Sequence, residues 1–236
     1  MQVTILRDGE EQLLSVQGTE QNYQLWQDAF VASELLEGNI GLIHPSQLSQ
    51  EQIAPMMEQL RDTEGLIIDL REYPSAWMLT NFAAYFKKSY TPFAQLALPS
   101  PKIPGTYDTQ VIYSGYAPVY QQQGVYHYEK PVVLLMNEQT WSQSEYVVMG
   151  LRGGNRVKVL GSNSIGSDGN MRSLPLPDGN ALSFTTLGVY TPEMGQTQRV
   201  GLAPDIEVHP TIEGIKEGRD ELMEAAVDYI LSQNEK

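Results

Sequence analysis

The run PVVLLMNEQTWSQSEYVVMG, residues 131–150, decides how the rest of the chain is read. Its apolar part, Val132 to Met136, is strand length rather than helix length, and Pro131 marks the entry. Asn137-Glu138-Gln139-Thr140 makes a polar bend. After Trp141-Ser142-Gln143-Ser144-Glu145, the apolar residues Tyr146, Val147, Met149 and Leu151 recur in a helix-like pattern. The unit reads strand, tight turn, helix, with a serine at the turn. A hydroxyl there stands beside the first backbone N–H groups of a helix, which have no helical acceptors. Acyl transfer needs that combination: a nucleophile next to donors for a developing oxyanion. The same residues also describe a serine that merely caps a helix, with Glu145 completing the cap. On this stretch alone the cap is the commoner outcome.

Outward from this unit, strand-and-helix alternation continues. Residues 38–44, GNIGLIH, read as a buried strand. Residues 49–60 read as a helix with Ser49 as N-cap and Ile53, Met56, Met57 and Leu60 on one face. Residues 65–71 give a second strand and 77–86 a second helix, with another strand-to-helix turn at 72–76. Residues 89–130, rich in Pro, Tyr, Gln and Gly, read as an irregular excursion with a short helix or strand near 107–113. A fourth strand is expected over 156–160, then a Gly- and Ser-rich turn at 161–170. An antiparallel pair, 171–176 with 181–189, flanks Pro177-Asp178-Gly179-Asn180, and a closing helix spans 220–231. Residues 18–34 give no clear pattern. Residues 2–17 read as a hairpin about Asp8-Gly9. The expected class is α/β: a mixed or parallel sheet with flanking helices and a β-hairpin insert. Ligands of such sheets sit beyond the carboxyl ends of the strands, which puts the turns at 72–76, 137–143 and 161–170 on one rim.

Composition narrows the function. With 41% hydrophobic residues in 236, a sizeable core is available. A formal charge of -14 argues against nucleic-acid or anionic-membrane partners, which require basic patches. There is no cysteine, so thiol catalysis and thiolate metal sites are excluded. No apolar window of about 18 residues exists to span a bilayer, and MQVTILRDGEEQ has no signal-peptide apolar core. Asp168 with Asp178 could suggest a metal, but a carboxylate pair flanked by glycines is more often turn chemistry, so neither a metal nor a cofactor is expected.

Taken in order, IGLIHPSQL, GLIIDLREYPS, PVVLLMNEQTWSQSE, VLGSNSIGSDG, LPDGNALSFTTLGVYTPEMGQTQRVGLAPDIEV and GRDELMEAAVDYI resemble the C-terminal-processing and tricorn-type serine peptidases. The resemblance covers roughly residues 38–232, and it is specific as a set. It implies a ClpP/crotonase-like core over 19–236. It also implies that residues 1–18 are the tail of a PDZ-like module, so that Met1 would not be the natural start of an exported, periplasmic or cell-envelope protein. The family pattern Ser-x-Ser-Glu puts the nucleophile at Ser142 and one oxyanion donor on the Gln143 backbone. The second donor falls at Ser75, where the family more often has glycine. The lysine base of the processing branch falls on Ser167, so a Ser–Lys dyad is not expected. In the tricorn branch a histidine and a second serine lie upstream of the PDZ module, outside this sequence. The glutamate of that branch falls near Gln198. The implied substrates are peptides or unfolded proteins, and the N-terminal and PDZ-like regions of the same protein are implied partners.

Of the three histidines only His44, at a strand end on the expected rim, is an internal candidate for a base, against a plain structural role. His127 and His209 lie in loop-like sequence. A catalytically inactive relative that binds peptide is the alternative, and the isolated chain is expected to hydrolyse little.

Overall fold

The computed structural model describes residues 2–17, 31–75, 78–79, 81–117 and 124–234. Contacts divide the chain into a short unit, Met1–Phe30, and a large one, Val31–Lys236. The short unit holds the expected hairpin: β1 (Gln2–Arg7) runs antiparallel to β2 (Glu10–Ser15), with Arg7 opposite Glu10. Asp8 and Gly9 take φ of 53° and 82°. Two positive φ values in a two-residue loop are what a type I′ hairpin turn requires.

The large unit runs β3 (Ser33–Leu36), β4 (Ile40–Ile43), α1 (Ile53–Gln59), β5 (Gly65–Asp69), α2 (Asn81–Phe86), β6 (Thr91–Pro99), β7 (Tyr107–Ser114), β8 (Val132–Met136), α3 (Gln143–Arg152) and β9 (Val157–Gly161). It continues through β10 (Met171–Pro175), β11 (Ala181–Thr185), β12 (Gly188–Tyr190), β13 (Ile206–Glu207), α4 (Ile212–Glu217) and α5 (Glu221–Asn234). Six strands form the main sheet in the order β13-β9-β8-β5-β4-β3. Every neighbouring pair is parallel except β3 with β4.

The unbroken apolar run of β8 follows from burial on both faces. Val132, Leu134 and Met136 join Leu66 and Ile68 of β5 on one face, against Met57 of α1, Phe82 and Phe86 of α2 and Val147 and Leu151 of α3. Val133 and Leu135 join Ile67 and Leu160 on the other, against Leu222, Ala226 and Ile230 of α5. The period of 2 in the strands thus meets helices on both sides, each fully buried Leu or Ile contributing about 1.5–3 kcal/mol.

Residues 89–130 differ from expectation. They hold two long strands, β6 and β7, paired antiparallel from Thr91 with Ser114 to Pro99 with Tyr107. Pro92 and Pro99 hid them, because proline inside a run demotes a strand assignment. Here both prolines sit at strand ends, and the register shifts between Pro92 and Ala94. The expected strand over 181–189 also divides. β11 stops at Thr185 after pairing with β10, and β12 crosses to β6, with Val189 opposite Leu96. The first helix is shorter at its start than expected: Ser49 opens a capping box with Gln52 over a 3-10 turn before α1 begins. The second helix's expected start at Trp77 lies outside the described residues.

Candidate active site

β5, β8 and β9 are neighbours, so the loops at their carboxyl ends converge on one rim, as expected. Thr140, fully buried, binds the three together. Its Oγ1 accepts from the Asn137 N–H at 3.0 Å and donates to the Leu70 carbonyl at 3.0 Å, and its own carbonyl accepts from the Ile165 N–H at 3.1 Å. Gly161 ends β9 with φ of 132°, and a Cβ there would fall 1.8 Å from the Met136 carbonyl oxygen. Only glycine lets the chain pass so close to the end of β8 before turning into the 162–169 loop.

Ser142 stands between β8 and α3, with φ 51° and ψ -116°. For a residue with a Cβ this is strained backbone, typical of glycine at the first central position of a type II′ turn. Non-glycine strain of this kind concentrates at functional sites, with a cost of about 1–3 kcal/mol balanced by surrounding bonds. Here the counterweight is Glu145, fully buried one turn into α3. Its Oε2 accepts the N–H groups of Ser142 at 3.2 Å and Ser167 at 2.9 Å. Its Oε1 accepts the Ser164 hydroxyl at 2.5 Å and the Gly166 N–H at 2.8 Å. One carboxylate thereby joins the serine turn to the loop after β9. It also sits at the positive end of the helix dipole. The expected capping role of Glu145 is therefore only part of what it does. No local pattern announces the bonds to residues 164–167.

Ser142 and Gln143 line a cavity of about 340 Å³ together with Tyr73, Tyr146, Asp168 and Leu187. Leu96 of β6 and Val189 of β12 close one wall, so the strands missed in the sequence shape the site. Trp141, 46% exposed, packs on Tyr73 with ring centroids 4.9 Å apart. The Ser144 hydroxyl donates to the Glu72 carbonyl at 3.1 Å, which fastens the 72–75 turn to the serine turn.

The other expected site residues lie elsewhere. The Ser75 N–H donates to the Pro45 carbonyl at 2.9 Å, and its hydroxyl to the carbonyls of Leu48 and Pro45 at 2.6 and 3.1 Å. Ser75 is not among the residues lining the cavity. His44 is buried, places Nε2 3.4 Å from Glu34 Oε1, and is also outside the cavity. Gln198 acts as a pin: its Nε2 donates to the carbonyls of Asp168 and Leu187 at 2.9 and 3.0 Å, and its Oε1 accepts the Val189 N–H at 3.3 Å. Gln198, Ser167 and Asp168 line a second, larger cavity of about 1050 Å³, which shares Asp168 and Leu187 with the first. Asp178, weighed as a metal ligand with Asp168, holds Asn180 at the exposed hairpin tip.

Arg71, just past the end of β5, donates through Nε and Nη2 to the buried Asp69 carboxylate at 2.9 and 2.6 Å. Its Nη1 and Nη2 donate to Asp220 at the start of α5 at 2.9 and 2.8 Å. Asp69, Arg71 and Asp220 thus form a triad just ahead of the 72–75 turn.

Comparison with known proteins agrees with this architecture. Residues 80–208, more than half of the chain, match Peptidase family S41. A carboxyl-terminal-processing protease from Synechocystis sp. is 27% identical over 173 residues, covering 71% of this chain and 37% of that protein. The chain spans well under half the length of the curated relatives it matches. A crystal structure from Parabacteroides merdae superposes with a TM-score of 0.68 at 20% identity, covering 87% of this chain and 67% of the other. The tricorn protease gives 0.51 at 15% identity, covering 85% of this chain and 18% of that one. These two likenesses show the fold. With the family match and the strand-turn-helix at Ser142 together, the chain belongs to Peptidase family S41.

Proposed function

We propose that this chain is the core of a serine endopeptidase, cleaving peptides or unfolded C-terminal segments through an acyl-enzyme at Ser142. The observation that carries it is the strained serine at the head of α3, opening onto a cavity it shares with Gln143. In this reading the Gln143 backbone N–H is an oxyanion donor. A Ser–Lys dyad is not part of the reading, because Ser167 stands at the family's lysine position, with its N–H on Glu145. An upstream region of a longer, exported protein, ending in the PDZ-like hairpin of β1 and β2, would present substrate and could supply a histidine base. The alternative, a peptide-binding relative without turnover, draws support from Ser75, whose N–H is held by Pro45 where the family's second oxyanion donor falls.

Hydrolysis of an unfolded protein such as casein by the longer protein separates the two. The peptidase reading expects cleavage, with Ser142→Ala lowering the rate by about 10³-fold or more. Binding without cleavage, or cleavage that Ser142→Ala leaves intact, would contradict it.

A further inference from the structure

Tyr73 and Trp141 form an exposed aromatic pair on the rim. Their rings touch, with centroids 4.9 Å apart and planes tilted by 42°, yet Tyr73 is still 42% exposed and Trp141 46%. Tyr73 lines the cavity that Ser142 and Gln143 also line, and Trp141 directly precedes the nucleophile. Fastening the 72–75 turn to the serine turn does not require the two rings. The Ser144 hydroxyl already donates to the Glu72 carbonyl at 3.1 Å, and the buried Thr140 hydroxyl to the Leu70 carbonyl at 3.0 Å. Large rings left partly in water beside a concave site mark a binding surface, because an apolar ligand laid on them removes their area from water.

The lining of the cavity selects what covers them. Leu96, Leu187, Val189 and Tyr146 supply apolar walls, and the Tyr146 ring is held edge-on against Phe93, with centroids 4.8 Å apart. Among the described residues the lining holds no lysine, arginine or histidine, so an acidic side chain would enter unpaired into a chain of formal charge -14. The one carboxylate of the lining is Asp168, whose Oδ1 accepts the Gly169 N–H at 2.7 Å and whose Oδ2 is buried. A basic side chain therefore meets no open counter-charge there. An apolar side chain meets none of these obstacles, and ring contacts with tryptophan and tyrosine add to its burial.

We propose that Tyr73 and Trp141 set the cleavage preference: their rings hold a large apolar side chain, such as leucine or phenylalanine, of a substrate residue beside the scissile bond. The inference rests on the peptidase reading of Ser142 and adds the class of peptide that the site accepts. A side chain held there also restricts where the neighbouring peptide carbonyl lies relative to the Ser142 hydroxyl, so the contact acts on orientation as well as affinity.

The test is digestion of casein by the longer protein that contains this chain, with every cut mapped by mass spectrometry and Ser142→Ala as the control. Cuts should concentrate beside leucine, phenylalanine, methionine and tyrosine rather than beside alanine, lysine or glutamate. A peptide carrying a preferred cut, and its counterpart with alanine in place of the apolar residue, then give a ratio of kcat/KM. Trp141→Ala and Tyr73→Ala should each lower that ratio by about 10-fold, mainly through a raised KM for the apolar peptide, and Trp141→Phe and Tyr73→Phe should restore most of it. Cutting that Ser142→Ala abolishes, but that falls beside charged residues or shows no apolar preference, overturns the inference and leaves the Ser142 reading standing. A ratio unchanged in both alanine variants does the same. Wild-type protein that leaves casein whole overturns both.

Discussion

Replacing Glu145 by glutamine is expected to destabilise the large unit by about 3–5 kcal/mol. Each carboxylate oxygen accepts two donors: Ser142 N–H and Ser167 N–H on Oε2, Ser164 Oγ–H and Gly166 N–H on Oε1. An amide offers one accepting oxygen. With its NH2 toward the Ser142 and Ser167 N–H groups two buried donors lose their acceptor; turned the other way the Ser164 hydroxyl can accept from it, but the Gly166 N–H still loses its acceptor in a fully buried site. Ser164 passes the disturbance on, since its hydroxyl also accepts the Leu202 N–H at 2.8 Å. A loss of this size is between about a fifth and the whole of a typical domain's stability of about 5–15 kcal/mol. Denaturant titration reads it directly. A change under about 1 kcal/mol would mean that the four bonds do not hold the serine turn.

Arg71→Met is expected to cost about 3–5 kcal/mol, because it strands the buried Asp69 carboxylate with, among the described residues, only the backbone N–H of residue 71 at 3.1 Å. The cause is separable from lost packing. The double variant Asp69→Asn with Arg71→Met removes the stranded charge and should recover part of the loss. Equal destabilisation in single and double variants would contradict the charge argument. Burial alone would raise the Asp220 carboxyl, but the Arg71 hydrogen bonds, the Met223 and Leu222 N–H groups and the Arg71 charge together outweigh it and hold it below the usual carboxylate range. Its contribution is therefore present at neutral pH and lost as pH falls through that range. Arg71→Met should also flatten that acid-side loss.

What could be read from the chain was whatever had a short period. The five-residue apolar run of β8 and the Asp-Gly turn of the first hairpin are local, and both formed as expected. The rim followed from the strand order, since β5, β8 and β9 are adjacent and parallel. β6 and β7 were hidden because their stability comes from each other and from β12, which lies about ninety residues further along the chain. The same reason applies to the site. Ser142 was legible because a strand-turn-helix is a local pattern. The Ser75 amide was expected to face the site, yet Pro45, distant in sequence, takes its hydrogen bond. Asp168 read as turn chemistry between glycines. Its burial depends on Glu145, Gln198 and cavity walls such as Tyr73, Leu96 and Val189, all more than fifteen residues away in the chain.

The central claim is that the hydroxyl of residue 142 is the group that attacks. Treating the longer protein that contains this chain with a fluorophosphonate and mapping the adduct by peptide mass spectrometry tests it most directly. One adduct on Ser142, absent in Ser142→Ala, is the predicted result. No adduct, or one on another residue that persists in Ser142→Ala, would contradict it.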